Sequence, residues 1–272
     1  GKTRDLEQLS TRLAKYLSPQ VYESIFTGKQ QVAVSSTRKK LTVFFSDVVD
    51  FTEIADQYES EELTQLLNTY LTEMSRIALD FGATIDKYVG DAIMVFFGDP
   101  DTLGIKTDAL RCVGMAIAMR DRLNSLNADW RTWGLSRPLS CRIGIHTGFC
   151  TVGNFGSDER MDYTIIGGTV NTASRLESIA EAGEIVISYE TFALVEDQFD
   201  CEERGTIEVK GIAYPIKTYS VRGPRVASSE ANQAFREIHG GMRLEIDPDS
   251  MSPEEKKAAV SALRRAIQHL KS

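Results

Sequence analysis

No run of eighteen apolar residues occurs in the 272-residue chain, and its first residues, Gly1-Lys-Thr-Arg-Asp, carry charge instead of a signal peptide. Neither a spanning helix nor a secretory leader is therefore expected within it. Cysteine is scarce: four residues, at 112, 141, 150 and 201, with no CxxC spacing. They read as buried thiols of a reducing cytoplasm. Histidine is scarcer still. His146, His239 and His269 lie far apart without HExxH or paired-ligand spacing, which argues for structural roles and against zinc. Positive charge is also short, 31 Lys and Arg against 39 Asp and Glu, and the net charge of −8 excludes a general nucleic-acid coat. An acidic chain can still hold a polyanion through metal ions and a few placed cations.

What is present divides into three stretches. Residues 1–36 hold Leu6, Leu9, Leu13 and Tyr16 or Leu17 at heptad-like intervals, a helical lead-in that either docks on the following domain or pairs with a second copy. Residues 37–222 hold the main domain. Leu41 to Ser46 is a nearly continuous apolar and aromatic run, as expected of a central strand. Leu63, Leu66, Leu67, Tyr70, Leu71 and Met74 recur at helical spacing up to Gly82. Two strands then flank the turn Gly90-Asp91. A helix over 110–126, a strand over 139–150, a helix over 169–180 and strands at 184–188, 206–209 and 216–221 complete the pattern. The order resembles an α+β, ferredoxin-like split βαβ sheet with helices mainly on one face. Residues 223–272 form an extension: a polar linker, a strand at 242–246, and a helix announced by the capping box Ser252-Pro-Glu-Glu255.

The chemistry concentrates where VFFSDVVDFTEIA passes from strand to helix. In a split βαβ sheet the hairpin turn at Gly90-Asp91 can lie beside the strand end at Asp47, so two carboxylates converge. Such oxygen ligands suit Mg²⁺ or Mn²⁺, and a pair of these ions suits phosphoryl chemistry. Asp47 and Asp91 are accordingly the expected metal pair. Asp50-Phe-Thr-Glu53 has the spacing of a capping box, which gives Asp50 a structural role. Backbone amides at the helix start after Asp47 offer a place for phosphate oxygens.

VFFSDVVDFT, IDKYVGDAIMVFF and YTIIGGTVNTASRLE, in this order and with these separations, resemble the motifs of the class III adenylate cyclase catalytic domain; the likeness covers about Leu41 to Val221. The resemblance implies conversion of ATP to 3′,5′-cyclic AMP and pyrophosphate, two Mg²⁺ or Mn²⁺ ions, and a homodimer with active sites shared across its interface. It assigns Asp47, Asp91 and Val48 to metal, Lys87 and Thr164 to the adenine ring, Asn171 and Arg175 to the ribose and the transition state, and Lys210 in EVKGI to the terminal phosphates. Lys87 favours ATP, because guanylate cyclases usually place Glu there. Thr164 stands where many relatives carry Asp, the pattern of subclass IIIb, some of whose members respond to bicarbonate. At Asp50 many relatives have Gly.

Two other classes stay open. A cyclase acting on GTP conflicts with Lys87, and a non-catalytic dimerisation or nucleotide-sensing module would be expected to have lost a metal acid or the Asn and Arg. Diguanylate cyclases and polymerase palms share the split βαβ logic, but TVNTASR does not resemble them. The expected setting is cytoplasmic, without nucleic acid, and the lead-in helix is compatible with an upstream sensor or membrane anchor outside this stretch.

Overall fold

The computed structural model describes residues 8, 10, 14–28, 35–132, 137–157, 159–209, 212, 214–225, 235–239, 242–246 and 251–271. They fall into two compact units, Gly1–Pro224 and Arg225–Ser272. The apolar positions expected to form a helix over Leu6–Leu17 lie largely outside the described residues; a short 3-10 turn, Ala14–Tyr16, precedes helix α1 (Pro19–Phe26). No helix among the described residues is long and apolar enough to cross a membrane.

The first unit is built on β1 (Ser36–Val48), which runs well beyond the apolar core of the segment. Its partners are β3 (Ala92–Phe97) on one side and β4 (Cys141–Gly156) on the other, both antiparallel. With β2 (Thr84–Val89), β6 (Ile185–Ser188), β7 (Phe199–Ile207) and β8 (Ile216–Pro224), the strand order is β2-β3-β1-β4-β6-β8-β7, and β5 (Met161–Ile166) pairs with the far half of β4. β1 thus lies well inside the sheet, as its sequence implied. The strand expected at 206–209 is β7, which starts at Phe199 and ends at Ile207. The two-residue turn at Gly90-Asp91 closes the β2–β3 hairpin, and Gly90 takes the left-handed φ of 63° that such a turn demands.

Helices cover both faces unequally, following the two-residue alternation of the strands. Phe44, Val95, Ile143 and Ile187 point to one face, where α2 (Phe51–Ala55), α3 (Ser60–Asp80), α4 (Ile105–Thr132) and α6 (Tyr189–Val195) seal the larger core with Tyr70, Met74, Met115 and Trp130. Each such side chain contributes about 1.5–3 kcal/mol by leaving water. Leu41, Val43, Phe96 and Val152 point to the other face, which helix α5 (Gly168–Ile179) covers through Val170 and Ala173. α5 lies unusually close. A Cβ on Gly144 of β4 would stand 2.8 Å from the Cα of Glu177, and closer still to the Glu177 nitrogen and the Ala173 carbonyl.

In the second unit β9 (Phe235–His239) pairs antiparallel with β10 (Met242–Ile246), and α7 spans Pro253–Lys271. The Ser252 capping box forms as expected: Glu255 N–H donates to Ser252 Oγ at 3.3 Å, and Ser252 N–H donates to Glu255 Oε2 at 2.7 Å.

Candidate active site

The hairpin turn does reach the end of β1. Val48 N–H donates to Asp91 Oδ2 at 2.8 Å, which fixes the Asp91 carboxylate beside Asp47. Both acids are half-buried. Burial is the main force raising the pKa of Asp91; the Val48 N–H opposes it, and the negative charge of Asp47 adds to it. Two converging carboxylates with only oxygen to offer are a donor set for a hard divalent cation. Among the described residues no group of three or more His, Cys, Asp or Glu side chains is placed to hold a metal ion, so a cation here rests on this pair and backbone oxygen.

The neighbours of the pair were not legible in the sequence. Arg142 stands directly across from Asp47 in the β1–β4 register. Its Nε donates to Asp47 Oδ1 at 3.0 Å and its Nη2 to Asp47 Oδ2 at 2.5 Å, a bidentate charge-assisted pair. Glu177 of α5 brings Oε1 to 3.4 Å from Arg142 Nε. Burial first, and then the proximity of Asp47, lifts the Glu177 carboxyl well above the usual carboxylate range. One guanidinium therefore balances an acid-rich strand end.

Asp50 corrects the capping expectation. It occupies the N-cap position of α2 but makes no side-chain cap bond, because its φ of 55° is left-handed, whereas a capping residue needs an extended backbone. Its carboxylate accepts from Arg137 Nη2 at 2.7 Å instead. The left-handed φ also gives a physical reason for glycine at this turn.

Asn171 and Arg175 are one turn apart on α5, both exposed, and line a cleft of about 570 Å³ with Ser174, Ser178, Glu208 and Val209. At about 100° per residue, Glu177 lies roughly 200° around the helix from Arg175. The side chain that reaches the Asp47 end and the Asn171–Arg175 pair thus leave α5 in opposite directions. Lys210 lies outside the described residues.

Lys87 and Thr164 are brought together by a residue that had not been singled out. Thr164 Oγ1 donates to Asp86 Oδ2 at 2.6 Å, and Lys87 Nζ stands 3.4 Å from Asp86 Oδ1. Asp86 sits where the β2–β3 register shifts between Ile85 and Lys87.

Cys141, Cys150 and His146 lie in buried surroundings. Burial pushes the Cys141 thiol up to about 12 and the Cys150 thiol up to about 11, so neither is a ready nucleophile. His146 is buried, with Nδ1 2.7 Å from Ser188 Oγ.

The model of the adenylate and guanylate cyclase catalytic domain matches residues 33–223, over two thirds of the chain. The chain belongs to that family and is a class III nucleotidyl cyclase catalytic domain. Among solved structures it is similar to the adenylyl cyclase CyaB from P. aeruginosa, at 58% identity and a TM-score of 0.68 over 69% of this chain and 96% of that one. It is also similar to the guanylyl cyclase Cya2, at 34% identity and a TM-score of 0.67 over 72% and 98% of the two chains. Adenylate cyclase 1 of Rhizobium meliloti (strain 1021) is 33% identical over 190 residues, 68% of this chain and 28% of that protein. The chain spans about a third or less of curated relatives such as this one and the adenylate cyclase of Anabaena cylindrica. Family members generally use divalent metals.

Proposed function

We propose that this domain is an adenylate cyclase, converting ATP to 3′,5′-cyclic AMP and pyrophosphate at sites shared by two copies of the chain. The observation that carries the reading is the meeting of Lys87 and Thr164 at Asp86, which puts a cation and a hydroxyl side by side as a base-reading pair. The likeness to the adenylyl cyclase CyaB supports it. Residues 37–222 would form the catalytic domain, with residues 1–36 as the lead-in and 223–272 as an appendage.

In this reading Asp47, Asp91 and the backbone of Val48 would hold two Mg²⁺ or Mn²⁺ ions, which would supply positive charge against the triphosphate and acidify the ribose 3′-hydroxyl. The 3′-hydroxyl loses its proton to solvent and its oxygen bonds to the α-phosphorus as the bond to the bridging oxygen breaks and pyrophosphate leaves with that electron pair, so the protein has to align atoms and stabilise charge. Arg175 stabilises the negative charge on the phosphoryl oxygens, Asn171 orients the ribose, and Lys210 binds the terminal phosphates. Because Glu177 and Arg175 leave α5 in opposite directions, Asn171 and Arg175 of one copy are assigned to the Asp47–Asp91 end of the other, which yields two equivalent sites by two-fold symmetry. The lead-in would connect to an upstream sensor or anchor on the cytosolic side.

The test is product formation by the purified chain with ATP or GTP and Mg²⁺ or Mn²⁺, beside Asp47→Ala and Lys87→Glu. Cyclic AMP and pyrophosphate from ATP are expected, reduced about 100-fold or more by Asp47→Ala and with weakened base preference in Lys87→Glu. A folded, dimeric sample that makes no cyclic nucleotide would point to a binding module.

A further inference from the structure

Threonine at position 164 is an ambiguous reader of a base, because a hydroxyl has one proton to give and two lone pairs to offer. The structure removes the ambiguity. The Thr164 proton is directed at Asp86 Oδ2, 2.6 Å away, and a carboxylate can only accept. The same oxygen is 3.4 Å from Ile165 N–H, and Lys87 Nζ stands 3.4 Å from the other. The Asp86 side chain is only 1% exposed, a costly place for a carboxylate unless its partners are the reason for it. Burial raises its pKa, and the bonds from Thr164, Lys87 and Ile165 oppose that rise.

We infer that Asp86 is a positioning residue for base selection: by taking the Thr164 proton it leaves that hydroxyl only lone pairs to show a nucleotide, while Lys87 beside it shows only donors. Adenine presents an amino donor at C6 and an acceptor at N1; guanine presents a carbonyl acceptor at C6 and a donor at N1. With Thr164 facing the 6-substituent and Lys87 facing N1, adenine is matched twice and guanine is opposed twice. Without Asp86 the hydroxyl can turn and donate to the guanine carbonyl. Asp86 touches neither base nor phosphate; it acts through Thr164 and Lys87. The inference rests on the reading of those two as base contacts.

The experiment measures kcat and KM for ATP and for GTP, with Mn²⁺, on the full chain and on Asp86→Ala, Thr164→Val and their double variant, with fold and dimer state checked by circular dichroism and gel filtration. Asp86→Ala is expected to lower the ATP-to-GTP ratio of kcat/KM by about 10-fold or more, with a raised KM for ATP and a gain in turnover of GTP. The double variant is expected to show no further loss of ratio beyond Thr164→Val alone. Parallel loss with both nucleotides, or effects of the two substitutions that simply add, would overturn the inference and leave Asp86 as a tie between β2 and β5. If Asp86→Ala does not fold, Asp86→Leu keeps the branched shape but offers Thr164 no acceptor, and an unchanged ratio there is equally fatal. Wild-type chain that makes cyclic AMP while the variants keep its ratio refutes this inference alone; wild-type chain that makes no cyclic nucleotide removes the cyclase reading and this inference together.

Discussion

Substituting Gly144 with alanine tests how closely α5 must approach the sheet. An added Cβ would stand 2.8 Å from the Glu177 Cα and nearer to two backbone polar atoms of the helix. Ordinary contact between such carbons is about 3.5–4.0 Å, so α5 has to retreat by roughly 1 Å. Neither obstacle is the tip of a flexible side chain. The strain of forcing atoms into a packed core is about 1–3 kcal/mol, and backbone against backbone places this case at the upper end, about 3 kcal/mol. For a domain of this size that corresponds to a fall in Tm of roughly 6–12 °C. The same retreat displaces Asn171 and Arg175, and a misplacement of about 1 Å can cost on the order of 100-fold in rate. Urea and thermal melts would read the first effect, and kcat/KM for ATP the second. A Gly144→Ala protein with the wild-type denaturation midpoint and rate would show that the approach of α5 constrains neither stability nor site geometry.

Two further outcomes follow from particular groups. Burial depresses the His146 pKa from 6.5 to about 4, the nearby Glu190 carboxylate opposing this and Lys40 assisting it. Between those values the unfolded chain binds a proton that the native chain does not, so stability falls as pH drops from about 6.5 to 4, by roughly 3 kcal/mol over the window. Urea midpoints at stepped pH should show this slope, and His146→Gln should flatten it; identical slopes would refute the assignment. Separately, Asp47→Ala and Arg175→Ala chains, each inactive alone, should regain about a quarter of wild-type activity when unfolded together and refolded, because half the dimers then contain one intact site of two. Mixtures as inactive as their components would show that the site is not shared in this way.

The large elements were legible because their signals are local. β1 and α3 announce themselves by an apolar run and by helical spacing, and the β2–β3 hairpin by a two-residue turn. β5 escaped notice, having only the six residues MDYTII, and α6 has only seven and starts directly at the end of β6. The capping motifs show why a pattern needs backbone geometry: Ser252 and Glu255 close their box, whereas Asp50, with similar spacing to Glu53, has a φ that forbids it. The candidate site divides in the same way. Asp47 and Asp91 could be paired from topology, but Arg142 is 95 residues from Asp47 and Asp86 is 78 residues from Thr164. Arg142 faces Asp47 through the β1–β4 register, which a single sequence does not display between distant strands, and Asp86 meets Thr164 across two strands that do not pair with each other.

α5 shows how one short helix ties these parts together. Ala173 and Leu176 face inward, and Gly144 leaves them no slack. Glu177 extends the same buried side toward Arg142 and Asp47, so the electrostatic balance of the Asp47–Asp91 end depends on where the helix sits. Asn171 and Arg175 project the other way, into the open cleft. Any force that shifts α5 along or away from the sheet must therefore alter the Arg142–Asp47 pair of its own chain and the Asn171–Arg175 pair in one movement. In a two-fold dimer with shared sites, the first change falls in one active site and the second in the other. The two sites of such a dimer would then be mechanically linked through their α5 helices, and Gly144→Ala in one chain of a heterodimer should impair both.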